Sequence, residues 1–202
     1  EKIGRLIDCL EETGQLTNTL IIYTSDHGEM NGEHGMWRKS NFYEASARIP
    51  LQMAWPGNIP QNKRIPEVVS LVDLIATLPE VANMAPPAPL DGDSLMPLIT
   101  SQNHNWKNEA FCEYLAHGVL GPMAMLRQGN FKFNYSLGDP PELYDLVNDP
   151  NEFHNLAQEP AQQTRLETMQ THLQSHWDAK QLNQDVLKSQ KERLFIEQAV
   201  AQ

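Results

Sequence analysis

Apolar residues recur along the opening part of the chain with two different periods. Ile3, Leu6, Ile7 and Leu10 stand three or four apart, which predicts a helix with one buried stripe, and Gly14 is a suitable stop. Residues 18–25 then form an apolar run, NTLIIYTS, short enough and β-branched enough to predict a buried strand. A polar, glycine-rich loop follows over 28–38, then a short predicted helix over 40–47 and a second buried strand over 49–55, ended by Pro56-Gly57. Val69, Val72, Ile75 and Ala76 restore helical spacing over 68–81, with Pro79 bending or ending that helix. Helix, strand, loop, strand, helix is the rhythm of an α/β layered domain, for which a largely parallel sheet is expected.

The pattern changes after the stiff connector APPAP at 85–89. Runs at 110–115, 123–127 and 131–135 predict short strands, and Arg127-Gln128-Gly129-Asn130 is a good hairpin turn between the last two. Pro140-Pro141 and the run Leu143-Tyr144-Asp145-Leu146 complete a small antiparallel sheet. From residue 161 the chain is mostly helical, with Leu166, Met169 and Leu173 on one face and Val186, Leu194, Ile196 and Val200 in a further stretch. The expected division is a layered α/β part over 1–108 and an α+β subdomain with a helical tail over 109–202. There are no internal repeats.

Composition narrows the partners. The 202 residues carry 26 acidic against 15 basic side chains, a net charge of −11, which argues against nucleic acid or an anionic membrane surface. No apolar run approaches the roughly 18 residues of a membrane-spanning helix. Two cysteines, Cys9 and Cys112, make no disulfide framework or metal knuckle and are expected to be inert core thiols. The chain opens without Met inside an amphipathic helix, so its natural beginning is expected upstream.

The chemistry concentrates in TSDHGEMNGEHGMWRKSNFYE, residues 24–44. Adjacent residues on a strand point to opposite faces, so Asp26 and His27 can share an ion only where the strand has ended and the chain turns, as Gly28 permits. Strand carboxyl ends are also where open α/β sheets bind ligands. A carboxylate and an imidazole suit Ca²⁺, Mn²⁺, Mg²⁺ or Zn²⁺ to differing degrees, yet two ligands do not make a site. A capping Asp beside a surface His is the competing reading. Lys39, past the loop, is either a point charge for an anionic group or a solvated surface lysine. Glu29, Glu33 and His34 read as loop residues with a supporting role at most, and Arg48 as a structural ion-pair residue.

Taken in order, the motifs resemble the C-terminal half of a sulfatase core, in the alkaline-phosphatase-like superfamily. The strand is followed by S-D-H-G, a G-x-x-G-x-W-x-K loop, an aromatic-rich turn and ARIPL at 47–51. VSLVDL at 69–74 resembles the family's following helix, and LDGDSL at 90–95 its D-G-x-S-L segment. ELYDLVNDPNE from Glu142, with Asn155-Leu156-Ala157, is similar to the L-Y-D-L-x-x-D-P-x-E-x-x-N-L ending. The resemblance implies that Asp26 and His27 ligate one divalent cation, Ca²⁺ before Mn²⁺ or Mg²⁺. It implies that Lys39 contacts the sulfate group and the bridging oxygen of a small sulfate ester. Glu113-Tyr114, the 121–127 segment and SQKER at 189–193 are most similar to choline sulfatases, which makes Glu113 a candidate for holding a quaternary ammonium and favours a cytoplasmic enzyme. His117 stands where that pattern is more often acidic. Sulfatases take their formylglycine nucleophile from a C-x-P-x-R type motif. Neither cysteine fits it, and the paired aspartates that complete the metal site are missing too. The expectation is therefore the C-terminal part of a sulfuric ester hydrolase, inactive alone, with the helical tail able to join subunits. The alternatives are a phosphonate or phosphate ester hydrolase of the same superfamily, or a non-catalytic fragment.

Overall fold

A computed structural model describes residues 1–86, 88–101, 105–116 and 118–200. The chain runs through α1 (Lys2–Glu12), β1 (Ile21–Thr24), α2 (Glu44–Ala47), β2 (Leu51–Ala54), α3 (Leu71–Val81) and α4 (Met96–Ile99). It continues through β3 (Glu109–Tyr114), β4 (Met123–Gln128), β5 (Phe131–Ser136), β6 (Glu142–Asp145), α5 (Gln163–Gln174) and α6 (Ala179–Val200). Two compact units result: residues 1–28 with 48–108, and residues 29–47 with 109–202.

In the first unit, β1 and β2 pair with Ile21 opposite Ala54 and Thr24 opposite Leu51. The pair is antiparallel, which corrects the expected parallel arrangement. Parallel neighbours need a crossover, usually a full helix. The chain between these strands holds only the four-residue α2, and α2 belongs to the other unit. Ile22, Leu51 and Met53 pack on Leu74, Leu95, Leu98 and Ile99. Asp73, wholly buried, ties this core together. Its Oδ2 accepts the Ser70 N–H at 2.7 Å and closes a capping box on α3, while Oδ1 accepts from Asp93 N at 3.0 Å and Lys107 Nζ at 3.0 Å. Thr77 Oγ1 donates to Asp73 O at 2.6 Å and accepts from Leu95 N at 2.9 Å. Gly92 explains the rest of the LDGDSL motif. A Cβ there would lie 2.3 Å from the Val72 carbonyl oxygen, so only glycine lets this segment cross α3. Pro79 sits inside α3 close to its end, where the helix continues to Val81.

The second unit is a four-stranded antiparallel sheet in the order β3-β4-β5-β6. Its hairpin is as expected, Gln128 pairing with Phe131 across Gly129 at φ 54°. Strand alternation sorts the two faces. Ala124, Leu126, Phe133 and Leu143 pack under α5, where Leu166, Met169 and Leu173 form the predicted buried stripe and Trp177 joins them. Lys132, Asn134 and Tyr144, on the opposite face, are also buried. Lys132 Nζ lies 2.7 Å from Glu44 Oε1 and 2.7 Å from Glu152 Oε1 and donates to Phe42 O at 2.8 Å. Segment 29–47 is thereby fixed to the sheet within its unit.

Both cysteines are exposed, which corrects the core-thiol expectation. α1 buries none of its residues, so Cys9 has no core to enter. Cys112 is on edge strand β3, on the face opposite Phe111 and α5. Of the tail residues, Leu194, Ile196 and Val200 are exposed. Among the described residues no helix is long and apolar enough to cross a membrane.

Lys107 yields a pH prediction. Burial works to lower its pKa, but the hydrogen bond and charge of Asp73, followed by those of Asp93, outweigh it and hold the ammonium above the ordinary value of 10.5. A raised lysine pKa stabilises the fold below its unfolded value, and that stabilisation fades as pH climbs through the folded one. Urea unfolding should therefore show the Lys107 contribution intact at pH 7 and declining above about pH 10.5. Lys107→Met should cost about 1–3 kcal/mol at pH 7, because Asp73 keeps its backbone donors but loses its counter-charge.

Candidate functional site

β1 ends at Thr24, and the next three residues turn. Ser25 Oγ donates to His27 O at 2.8 Å, and His27 N–H donates to Asp26 Oδ1 at 3.0 Å. These bonds let two neighbours act on one side of the chain: His27 Nε2 lies 3.3 Å from Asp26 Oδ2. His27 Nδ1 is 2.7 Å from the Gly28 carbonyl, an acceptor only, so Nδ1 carries a hydrogen and Nε2 is the ring nitrogen that faces Asp26. A carbonyl on one ring nitrogen is how metal-ligating histidines are commonly oriented. The Asp26 carboxyl is held below the ordinary carboxylate value: desolvation opposes this, but the His27 backbone hydrogen bond and the His27 charge outweigh it. Its side chain is 81% exposed, so the carboxylate is ionised and reachable. Hard oxygen and imidazole nitrogen aimed at one point fit a divalent cation. Two such groups do not make a site, and among the described residues no three His, Cys, Asp or Glu side chains group to hold a metal.

Lys39 belongs to the second unit and ends a tightly coiled loop. Asn31, Gly32, His34, Gly35 and Arg38 all have positive φ, which accounts for the loop's glycines. Met30 N–H donates to Arg38 O at 3.0 Å and Gly32 N–H to Met36 O at 2.9 Å, with Met30 fully buried as the anchor. Beyond it the Lys39 carbonyl accepts from Asn41 N at 2.8 Å and from Ser46 Oγ at 2.6 Å, and the Lys39 side chain is exposed. His34 has a structural role. Its ring stacks on Tyr43 at 4.1 Å, and its Nε2 lies 2.9 Å from Asn151 O. Glu29, Glu33 and Arg48 are exposed.

Glu113 stands on β3 and accepts the Trp177 indole N–H at 2.7 Å. That bond satisfies Trp177, which is buried and meets Tyr135 edge-on at 5.8 Å. His117 lies outside the described residues. The structure thus brings Asp26 and His27 together, sets Lys39 on a braced loop, and gives Glu113 a packing partner. Lys132, Glu44 and Glu152 were not singled out from sequence. Lys132 and Asn134 alternate with Phe131, Phe133 and Tyr135, a pattern that puts Lys132 on the other face without saying that the face is buried, and Glu152 is the Glu of the D-P-x-E motif.

Comparison with known proteins identifies the family. The family model described as N-sulphoglucosamine sulphohydrolase, C-terminal, matches residues 32–179. A choline-sulfatase from Rhizobium meliloti (strain 1021) is 36% identical over 206 residues, covering 99% of this chain and 40% of its own length. The chain therefore spans well under half of that relative. The structure of BT4656 in complex with its substrate D-glucosamine-2-N,6-O-disulfate superposes with a TM-score of 0.74 at 29% identity, covering 86% of this chain and 37% of that one. A phosphonate monoester hydrolase of Agrobacterium radiobacter gives 0.76 at 30% identity, covering 85% and 37%. The fold is that of the alkaline-phosphatase-like enzymes, and with its strand-end Asp–His pair, its loop lysine and a family model along most of its length, the chain belongs to the sulfatase family.

Proposed function

We infer that this chain carries the C-terminal share of the active centre of a sulfuric ester hydrolase acting on a small organic sulfate ester. The observation that carries the reading is the Asp26–His27 pair, two ligand atoms 3.3 Å apart at the end of β1, with the Nδ1 of His27 already committed to a carbonyl. Asp26 Oδ2 and His27 Nε2 would hold one divalent cation, and the sulfatase resemblance, not this one-carboxylate, one-imidazole pair, supports Ca²⁺ before Mn²⁺ or Mg²⁺. When bound, that cation supplies fixed positive charge for the ester's oxygens. Lys39 would add a second positive charge to offset the negative charge that develops on the bridging oxygen, as the sulfatase resemblance implies. The formylglycine nucleophile and the remaining metal ligands are assigned to preceding chain. Exposed apolar residues on α1 (Ile3, Leu6) and α3 (Val72, Ile75, Leu78) support that assignment, since they leave a face for more polypeptide to cover.

The organic part of the ester is less constrained. Similarity to the Rhizobium meliloti enzyme along 99% of the chain supports choline sulfate, and with it a cytoplasmic enzyme. Glu113, paired with Trp177, contributes to that through packing. Net charge −11 supports a small-molecule partner over nucleic acid or a membrane, and the exposed apolar residues of α6 support self-association through the tail. A second reading, phosphonate ester hydrolysis, is favoured by the similarity to the Agrobacterium radiobacter enzyme, because a tetrahedral anion, one cation and a lysine serve both chemistries. Parallel kinetics of the longer enzyme on matched sulfate and phosphonate esters decide between them. A higher kcat/KM for the phosphonate would reverse the assignment.

Asp26→Asn in the longer enzyme should lower turnover at least ~100-fold and reduce bound metal, measured by elemental analysis, while the melting temperature stays within about 2 °C. Wild-type metal content and turnover would remove Asp26 from the ligand set. Lys39→Ala should lower kcat/KM by a similar ~100-fold with metal retained. The 202-residue chain on its own should hydrolyse no sulfate ester in the presence of Ca²⁺, Mn²⁺ or Mg²⁺.

A further inference from the structure

A deeply buried charge cluster lies outside the proposed ligand set. Lys132 and Glu152 are each 1% exposed and Glu44 16%, and the two carboxylates meet the same ammonium at 2.7 Å. Arg127 Nη1 adds a second cation 3.3 Å from Glu44 Oε2, making the cluster neutral overall. Apolar residues of similar volume commonly stabilise a fold as well as a buried ion cluster does, so burial energy alone does not account for these side chains. What charges add is direction. The cluster grips one segment at three points: Phe42 O accepts from Lys132 at 2.8 Å, the Glu44 carboxylate pairs with Lys132, and Glu44 N–H donates to Glu152 Oε2 at 2.6 Å. Glu152 holds this grip from a left-handed backbone, φ 58°, a conformation that persists where its surroundings over-determine it.

The same segment continues, through buried Ser46 on α2, to the hydrogen bond from Ser46 Oγ to the Lys39 carbonyl. A lysine ammonium on a four-carbon stem is only as well placed as its backbone. We propose that the Lys132–Glu44–Glu152 cluster is the positioning element of Lys39, with Lys132 a positioning residue rather than one that touches substrate. The inference rests on the anion-contacting role assigned to Lys39 above.

The test uses the longer enzyme and three sets of changes: Lys39→Ala; Lys132→Met with Glu44→Gln and Glu152→Gln, which removes three of the four charges while keeping volume and leaves the partly exposed Arg127 to solvent; and Glu152→Gln alone, which leaves Lys132 paired with Glu44. The triple variant should melt near wild type yet lose about 10- to 100-fold in kcat, with KM moving less. The loss should grow for esters with poorer leaving groups, the signature also expected of Lys39→Ala. Placed in the Lys39→Ala background, the triple change should cost little more, because a misplaced side chain and an absent one lose the same contact. Glu152→Gln should show the same non-additivity at smaller amplitude, and it carries the test if the triple variant does not fold. Unchanged kcat in a folded variant, or losses that multiply fully with Lys39→Ala, would reduce the cluster to scaffolding. If Lys39→Ala itself leaves kinetics unchanged, the function assigned to Lys39 is what fails. Amide exchange over residues 38–41 then judges the cluster by itself: faster exchange in the triple variant, with β4 and β5 still protected, upholds the grip, and unchanged exchange overturns it.

Discussion

One buried ammonium, Lys132, organises the second unit. Taking an ammonium and two carboxylates out of water costs several kcal/mol per ion, and only close contacts with further hydrogen bonding offset it. Here the contacts are 2.7 Å to each carboxylate, with a carbonyl at 2.8 Å as a third partner. Removing the lysine would leave two carboxylates facing one another out of water, a loss of about 3–5 kcal/mol. Segment 29–47 therefore has a fixed path across the sheet, and everything it carries, including the loop that ends at Lys39, inherits that path.

The first unit solves a similar problem with a single carboxylate. Asp73 satisfies the N-terminus of α3, the backbone at Asp93 and the ammonium of Lys107 together. Gly92 is the steric counterpart, since the chain crosses α3 where no side chain fits. Together they brace the core on which β1 and β2 rest. A rigid strand end matters because Asp26 and His27 are neighbours in sequence. A turn of three residues is all that brings Asp26 Oδ2 and His27 Nε2 within 3.3 Å, and slack there would return them to opposite faces.

Most of the elements could be read from residue order, because they depend on local periodicity. The helix stripe of Leu166, Met169 and Leu173, the hairpin at Gly129 and the strand that delivers Asp26-His27 follow from spacing and turn chemistry within a few residues. The roles proposed for Asp26, His27 and Lys39 follow from the resemblance to sulfatases, carried by motifs in order along the chain. The stripe that periodicity predicts on α1 is not buried in the structure, because burial needs a partner that periodicity does not supply. The same reason exposes Cys9.

What only the tertiary structure decided is long-range. Glu44, Lys132 and Glu152 are far apart in sequence, and no local pattern says that their charges meet in the interior. The antiparallel sense of β1 and β2 likewise depends on where the intervening segment packs, and it packs with the unit that follows. Sequence alone determined that an Asp–His pair ends a strand and that a lysine closes a glycine-rich loop. Folding determined what holds that loop, because a buried charge takes its position from partners the chain must bring to it.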